Sequence, residues 1–228
     1  MADADADPDA GLGDAAAADA GVDADELLDV YDEAGAWRGV KGRTAVHRDG
    51  DWHRCFHLWV LSGDAVLLQR RGRDKASWPG KLDATAAGHV GAGESVAAGG
   101  AREVREELGV AYAPGALVRL GVRAIVDRSN AMVNRELQHV FLVADPRPLE
   151  RWTDFDRTEL AGLVRIDIAD FSTLVHGPGD GPWPARAWDG EHAERVELRR
   201  DEVLPGGYLA PLTIMLERFA RGQRPLAI

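Results

Sequence analysis

One stretch, Gly88 to Val110, constrains this chain more than any other. It runs Gly88, five residues, Glu94, seven residues, then Arg102-Glu103-Val104-Arg105-Glu106-Glu107-Leu108-Gly109-Val110. On a helix, Glu103, Glu106 and Glu107 fall at i, i+3 and i+4. They share one face, with Cβ atoms roughly 5–6 Å apart. Like charges at that spacing disfavour a helix unless a cation sits among them. Hard oxygen ligands on a rigid element suit Mg²⁺ or Mn²⁺, which takes its remaining ligands from water and phosphate. Arg102 precedes Glu106 by one helical turn and can pair with it. Ser95 can cap the helix N-terminus, and Gly109 sits where a left-handed C-terminal residue belongs. Ala101, Val104 and Leu108 form the expected inward stripe. Gly99 and Gly100 each cost about 1 kcal/mol against Ala inside a helix, a conflict that close packing on a sheet would explain.

The chain has 228 residues, enough for one domain with a tail. Its formal charge of −11 is mostly local. The segment Met1 to Glu33 holds twelve acids and no Lys or Arg; with those twelve set aside, −11 becomes +1. The remainder is near neutral and lacks the positive excess that would hold a nucleic-acid backbone. Residues 1–26 are Ala/Asp-rich and cannot bury enough apolar surface to offset ordering entropy, so they are expected to be disordered. Residues 27–228 are read as one domain. There is no apolar run long enough to span a membrane and no secretory signal pattern, so the expected location is cytoplasmic. Cys55 is the only cysteine, which excludes an internal disulfide and a multi-cysteine zinc site; it reads as a buried strand residue.

Short apolar runs separated by turn residues read as strands. A hairpin is expected over Leu28–Tyr31 and Ala36–Val40, and another over Phe56–Leu61 and Ala65–Gln69. A short strand, Leu82–Ala87, leads into the Gly88–Val110 stretch. Leu117–Val126 and Glu136–Val143 read as paired strands around a polar loop, followed by a strand at Leu160–Ile166 and a short helix at Asp167–Val175. Residues 176–189 hold Gly, Pro and two Trp without periodicity and read as a loop. Glu194–Arg199 reads as a strand, and Pro211–Arg221 as a helix with Leu212, Met215, Leu216 and Phe219 inward. The pattern is α+β: a mixed β-sheet sandwiched between α-helices.

The Gly88–Val110 stretch resembles the Nudix box, Gly-x5-Glu-x7-Arg-Glu-U-x-Glu-Glu-x-Gly-U with U aliphatic, at every specified position. At average residue usage, such a match has a chance on the order of 10⁻⁹ per window. The resemblance implies the Nudix fold and divalent-metal-dependent hydrolysis of a pyrophosphate bond in a nucleoside-linked or other organic diphosphate. It implies Glu103, Glu106 and Glu107 as ligands to Mg²⁺ or Mn²⁺, with the Gly88 carbonyl as a further ligand. Arg102 orients these carboxylates, and Glu94 supports the loop–helix junction.

Outside the box, His53 to Trp59, Leu68 to Arg71, Lys75, Trp78-Pro79-Gly80 and Ala87-Gly88-His89 resemble the isopentenyl-diphosphate isomerase branch of the superfamily. On that likeness Arg71 and Lys75 bind diphosphate, and His53 and His89 match metal ligands. Glu136 matches an acidic ligand or catalytic residue, and is also a candidate general base. The likeness departs at three points. Ala87 stands where the isomerases carry their catalytic cysteine. Asn134 replaces a site glutamate. His47 lies one residue out of register with a further isomerase histidine. Hydrolysis is therefore favoured, with Glu106, Glu107, Arg102 and Glu136 as the catalytic set. Two alternatives stand beside it: an isomerase-like protein and a non-catalytic nucleotide-binding Nudix domain. The expected partner is a small-molecule diphosphate, with no nucleic-acid polymer and no membrane. The resemblance is compatible with a homodimer.

Overall fold

Strand β3, Trp52–Ser62, is the axis of the molecule. Its run of apolar and aromatic residues is buried along most of its length, as expected of a strand covered on both faces. The computed structural model describes residues 25–75, 77–113, 115–128 and 133–228. The stretch 1–24 of the acidic tail lies outside the described residues, whereas Asp25 and Glu26 already carry contacts: the Asp25 carboxylate accepts from the Thr44 backbone N–H at 3.0 Å.

Strands β1 (Leu27–Tyr31) and β2 (Trp37–Gly42) form the first hairpin. Helix α1, Arg43–Asp49, follows at once and ends on Gly50 in the left-handed region. Strand β4, Ala65–Arg71, turns back on β3. The segment read as one strand before the box is two short pieces, β5 (Leu82–Asp83) on β4 and β6 (Ala86–His89) on β3. The break falls at Thr85, whose hydroxyl accepts from Val60 N–H and donates to the Leu67 carbonyl, bridging two strands with its side chain.

Helix α2, Val96–Leu108, is the box helix. Ser95 Oγ accepts from Ala98 N–H at 3.2 Å, and Gly109 closes the helix with φ of 66°. Its buried residues are Val96, Gly99, Gly100, Val104, Glu107 and Leu108; Ala101, expected inward, is exposed. The two glycines are explained by proximity. A Cβ on Gly100 would overlap the Phe56 ring, and one on Gly99 would lie 3.3 Å from the Val90 Cα.

Strands β7 (Val118–Asp127) and β8 (Asn134–Ala144) pair antiparallel, and β8 runs parallel to β3, making the sheet mixed. Strand β9 (Leu160–Asp167) lies on β4 and leads directly into α3, Ile168–His176. Within 176–189, read as a loop, Trp183–Trp188 is strand β10, paired with β9 and with β11 (Ala193–Leu198). Pro184 masked it, because proline disfavours strand interiors. It is tolerated here because β9 flanks only Arg186–Trp188. Helix α4 spans Leu209–Ala220.

The helices cover both faces. On one, Phe171 and Leu174 of α3 and Leu212 and Leu216 of α4 pack on Trp59, Leu61, Val66 and Leu68. On the other, Val104 and Leu108 of α2 join Phe56, Leu58, Val60 and Leu67. No helix among the described residues is long and apolar enough to cross a membrane.

Candidate metal and diphosphate site

Strand β6 carries the site because side chains alternate across a strand. Gly88 faces α2, so closely that a Cβ there would overlap the Glu103 carboxylate. His89, the next residue, points its ring to the opposite face, toward His47 and His53. Two clusters of ligating side chains therefore meet at adjacent residues.

The first cluster belongs to α2. The Arg102 guanidinium donates to both Glu94 oxygens at 3.1 and 3.0 Å, to Glu103 at 2.8 Å, to Glu106 at 2.9 Å and to the His89 carbonyl at 3.1 Å. These carboxylates hold its pKa well above the usual value, Glu94 foremost. Glu94 also accepts from Gly91 N–H at 2.9 Å, the junction role expected of it. Glu107 is buried at 7 % exposure, and Ala87 N–H donates to it at 3.0 Å. Burial pushes its carboxyl well above the ordinary range, reinforced by the charges of Glu103, Asp83 and Glu159. Burial likewise raises Glu103, against the pull of Arg102. A shielded acid with such neighbours is poorly served as a lone anion, and a divalent ion is the partner that would let both carboxylates ionise. Glu106 is the most exposed of the three box glutamates and faces Arg102.

The second cluster is assembled from distant segments. The parallel β3–β8 register sets His53 opposite Glu136, and the antiparallel β3–β6 register sets Cys55 opposite His89. Ligand atoms of His53, Cys55, His89 and Glu136 all lie within 4.8 Å of one another. His53 Nδ1 is 3.1 Å from the Asp51 carbonyl, while its Nε2 is fully shielded without a hydrogen-bond partner among the described residues. Burial pushes His53 down to about 4, with the neighbouring His89 adding to the effect, so the ring is neutral at pH 7 and free to ligate. His89 Nδ1 sits 3.1 Å from a Glu26 oxygen. Asn134 and Gln138 amides each donate to one Glu136 oxygen at 2.6 Å. Burial alone would raise Glu136, but His57, Gln138, His53 and Asn134 together hold it below the usual range. A buried imidazole nitrogen without a partner, beside a carboxylate kept ionised, fits a divalent cation.

His47, out of register in sequence, comes into this cluster: its ring centroid lies 5.1 Å from that of His53 and 5.3 Å from that of His89. It is carried by α1, an element without a clear sequence signal. Burial lowers the His47 pKa as well.

Both clusters open into one cleft of about 290 Å³. Arg71 and Lys75 line it, as does Ala87. Arg71 donates to the Ser77 carbonyl at 3.0 Å and lies 3.6 Å from Asp83, and Lys75 pairs with Glu159. Tyr208, at the head of α4, adds a wall with no sequence signal; its hydroxyl accepts from Trp59 Nε1 at 3.2 Å and meets His57 Nδ1 at 2.7 Å. Glu26, also without a sequence signal, enters the site through its contact with His89.

The NUDIX domain family model matches residues 51–186, more than half of the chain. The chain belongs to the Nudix family. It is 30% identical over 192 residues to an uncharacterised Nudix hydrolase of Clostridium acetobutylicum, covering 81% of this chain and 92% of that one. It is 40% identical over 159 residues to Nudix hydrolase 3 of Arabidopsis thaliana, 67% of this chain but 20% of that protein. It is also 31% identical over 154 residues to an isopentenyl-diphosphate Delta-isomerase of Cereibacter sphaeroides, 66% of this chain and 84% of the isomerase. Its fold is shared with a crystallised protein of Deinococcus radiodurans, with a TM-score of 0.50 and 22% identity over 63% of this chain and 85% of that chain. The family model and the two Nudix hydrolase relatives support a hydrolase acting on phosphorus-containing anhydrides, and the isomerase relative sets the chain in the isomerase-like part of the family.

Proposed function

We propose that this Nudix protein cleaves the pyrophosphate bond of a small organic diphosphate and that it requires Mg²⁺ or Mn²⁺ held by Glu103, Glu106, Glu107 and the Gly88 carbonyl. The observation that carries the reading is the buried Glu107 carboxylate, backed by Glu103 and facing the same cleft as Arg71 and Lys75. When bound, the cation neutralises phosphate charge and lowers the pKa of water, the two needs of phosphoanhydride hydrolysis. The chain's own residues supply placement. Arg102 fixes the rotamers of Glu103 and Glu106. Arg71 and Lys75 exchange Asp83 and Glu159 for phosphate oxygens, the fork-shaped guanidinium giving paired contacts. Glu136, ionised and held by two amides, borders the same cleft as an acidic group beside the imidazoles. A cleft of about 290 Å³ is at the small end for ligand sites, so it seats the diphosphate and a compact group, and a longer substrate extends outside. We place the protein in the cytoplasm.

A panel of nucleoside diphosphates, nucleotide sugars and prenyl diphosphates, assayed with Mg²⁺ or Mn²⁺ for phosphate and pyrophosphate release, tests the reading. No turnover of any member, or full activity in both Glu106→Gln and Glu107→Gln, defeats it. The His47, His53, His89 and Glu136 cluster favours isomerisation as the second reading, and Ala87 in the cleft opposes it. Solvent deuterium entering isopentenyl diphosphate would establish that alternative.

A further inference from the structure

The carboxylates of α2 are a uniform oxygen set. The second cluster differs, because it contains a sulfur atom. Cys55, the only cysteine of the chain, is buried and lies with His53, His89 and Glu136 inside a 4.8 Å envelope of ligand atoms. We propose that Cys55 is a sulfur ligand and that His53, Cys55, His89 and Glu136 hold a thiophilic divalent ion, Zn²⁺ by preference, beside the Mg²⁺ or Mn²⁺ of the box. The proposal rests on the reading of this cluster as a metal centre and adds an atom that the resemblance to the isomerases does not carry.

Several observations converge on the sulfur. His53 and Cys55 are two apart on β3 and so point to the same face. The strand registers then put His89 across from Cys55, and Glu136 across from His53. His53 Nε2 is an independent sign of a ligand, since His53 is 1% exposed and this nitrogen has no partner among the described residues. The surrounding groups are already oriented as around a metal. His53 is turned by the Asp51 carbonyl, His89 by Glu26, and Glu136 by Asn134 and Gln138. Carboxylate-to-histidine contacts of this kind fix ring direction at zinc centres. Tetrahedral bonds of about 2.0–2.3 Å bring ligand atoms to roughly 3.3–3.8 Å of each other. Closing from the present envelope takes side-chain shifts of about 1 Å. On binding, the sulfur–metal bond forms as the thiol proton leaves to solvent. Thiolate with imidazole selects Zn²⁺ over Mg²⁺, whereas oxygen-only sites favour the reverse.

Co²⁺, which takes zinc sites and is coloured, reports the sulfur directly. The full chain is stripped with a chelator and titrated with Co²⁺. The expected result is an intense thiolate-to-cobalt charge-transfer band in the near ultraviolet. With one cysteine in the chain, the band can come only from Cys55, so the wild-type protein is a sufficient sample. The band should persist in Glu107→Gln and vanish in Cys55→Ser. Cys55→Ser should also weaken Zn²⁺ binding by ~10-fold or more, since even outer-shell partners cost 10–100-fold, while leaving Mg²⁺ affinity unchanged. Absence of the band at saturating Co²⁺, or Zn²⁺ affinity equal in wild type and Cys55→Ser, overturns the proposal. The substrate panel is independent. A band without turnover defeats the hydrolase reading and keeps the sulfur ligand; turnover without a band does the opposite.

Discussion

The two clusters that meet at β6 are built in opposite ways. The carboxylates of α2 come from one helix, and Arg102 clamps two of them, Glu103 and Glu106. The imidazoles and Glu136 come from α1, β3, β6 and β8 and are brought together by strand register. In the first, chemistry is fixed by spacing along the chain. In the second it is fixed by the tertiary fold, and no segment by itself reveals it. The clusters also differ in composition: one gathers carboxylates around a single guanidinium, and the other gathers imidazoles around a single carboxylate.

The largest expected effect breaks the first cluster. Glu107→Gln should lower kcat/KM by about 10³-fold, the several kcal/mol that a cation's stabilisation of phosphoryl charge carries. Because burial raises the Glu107 pKa, the native state holds a proton above pH 4.5 that the unfolded chain releases, so stability falls as pH rises. Glu107→Gln should remove that dependence and raise the melting temperature of the metal-free protein at pH 7. Calorimetry and initial rates would then move in opposite directions, and a variant that loses both would refute this account.

The second cluster predicts the reverse pH sign. His53 is lowered from 6.5 to about 4. Between those values the unfolded state binds the extra proton. The stability tied to the neutral ring is complete above pH 6.5 and is lost as pH falls toward 4, by about 3 kcal/mol. Denaturant melts of the metal-free protein across this window should show the slope, and His53→Gln should flatten it.

A packing change separates the clusters more gently. Gly100→Ala presses a methyl into Phe56 and should cost about 2 kcal/mol, the usual range for overpacking. It displaces α2, so Mg²⁺-dependent rate should drop while Zn²⁺ affinity holds; Phe56→Leu added to it should restore part of both stability and rate. The smallest effect is reserved for Glu26→Gln, which weakens the hold on His89. About 10-fold weaker metal binding at the imidazole cluster is expected, readable by competition with a coloured chelator, with box-dependent Mg²⁺ binding unchanged.

How far the sequence was legible follows the same division. Whereas the role of Glu94 came from the resemblance, the helix from Ser95 to Gly109 and its caps depend on neighbours within a few turns and can be read from spacing. So could the two glycines, once a sheet was assumed beneath them. His53, His89 and Glu136 became legible only through resemblance, because their proximity depends on β3 pairing with β6 and β8. His47, one residue out of register in sequence, is brought near these rings by α1, which had no sequence signal. Strand β10 was missed for a local reason: Pro184 and the flanking glycines give a loop signal, and only the pairing partners β9 and β11 override it.

Arg102 has a consequence for what lengths this chain can tolerate. Its guanidinium joins the loop residue Glu94, the β6 carbonyl of His89 and the helix residues Glu103 and Glu106 in a single planar group. A rigid fork cannot follow a loop that grows. Adding or deleting one residue within the first turns of α2, between Val96 and Arg102, would rotate Arg102 by about 100° relative to Ser95 and the loop and turn the fork away from its acceptors. Other surface connections can lengthen at little cost, but this one is locked in length, and the fixed spacing of the box is the record of that lock.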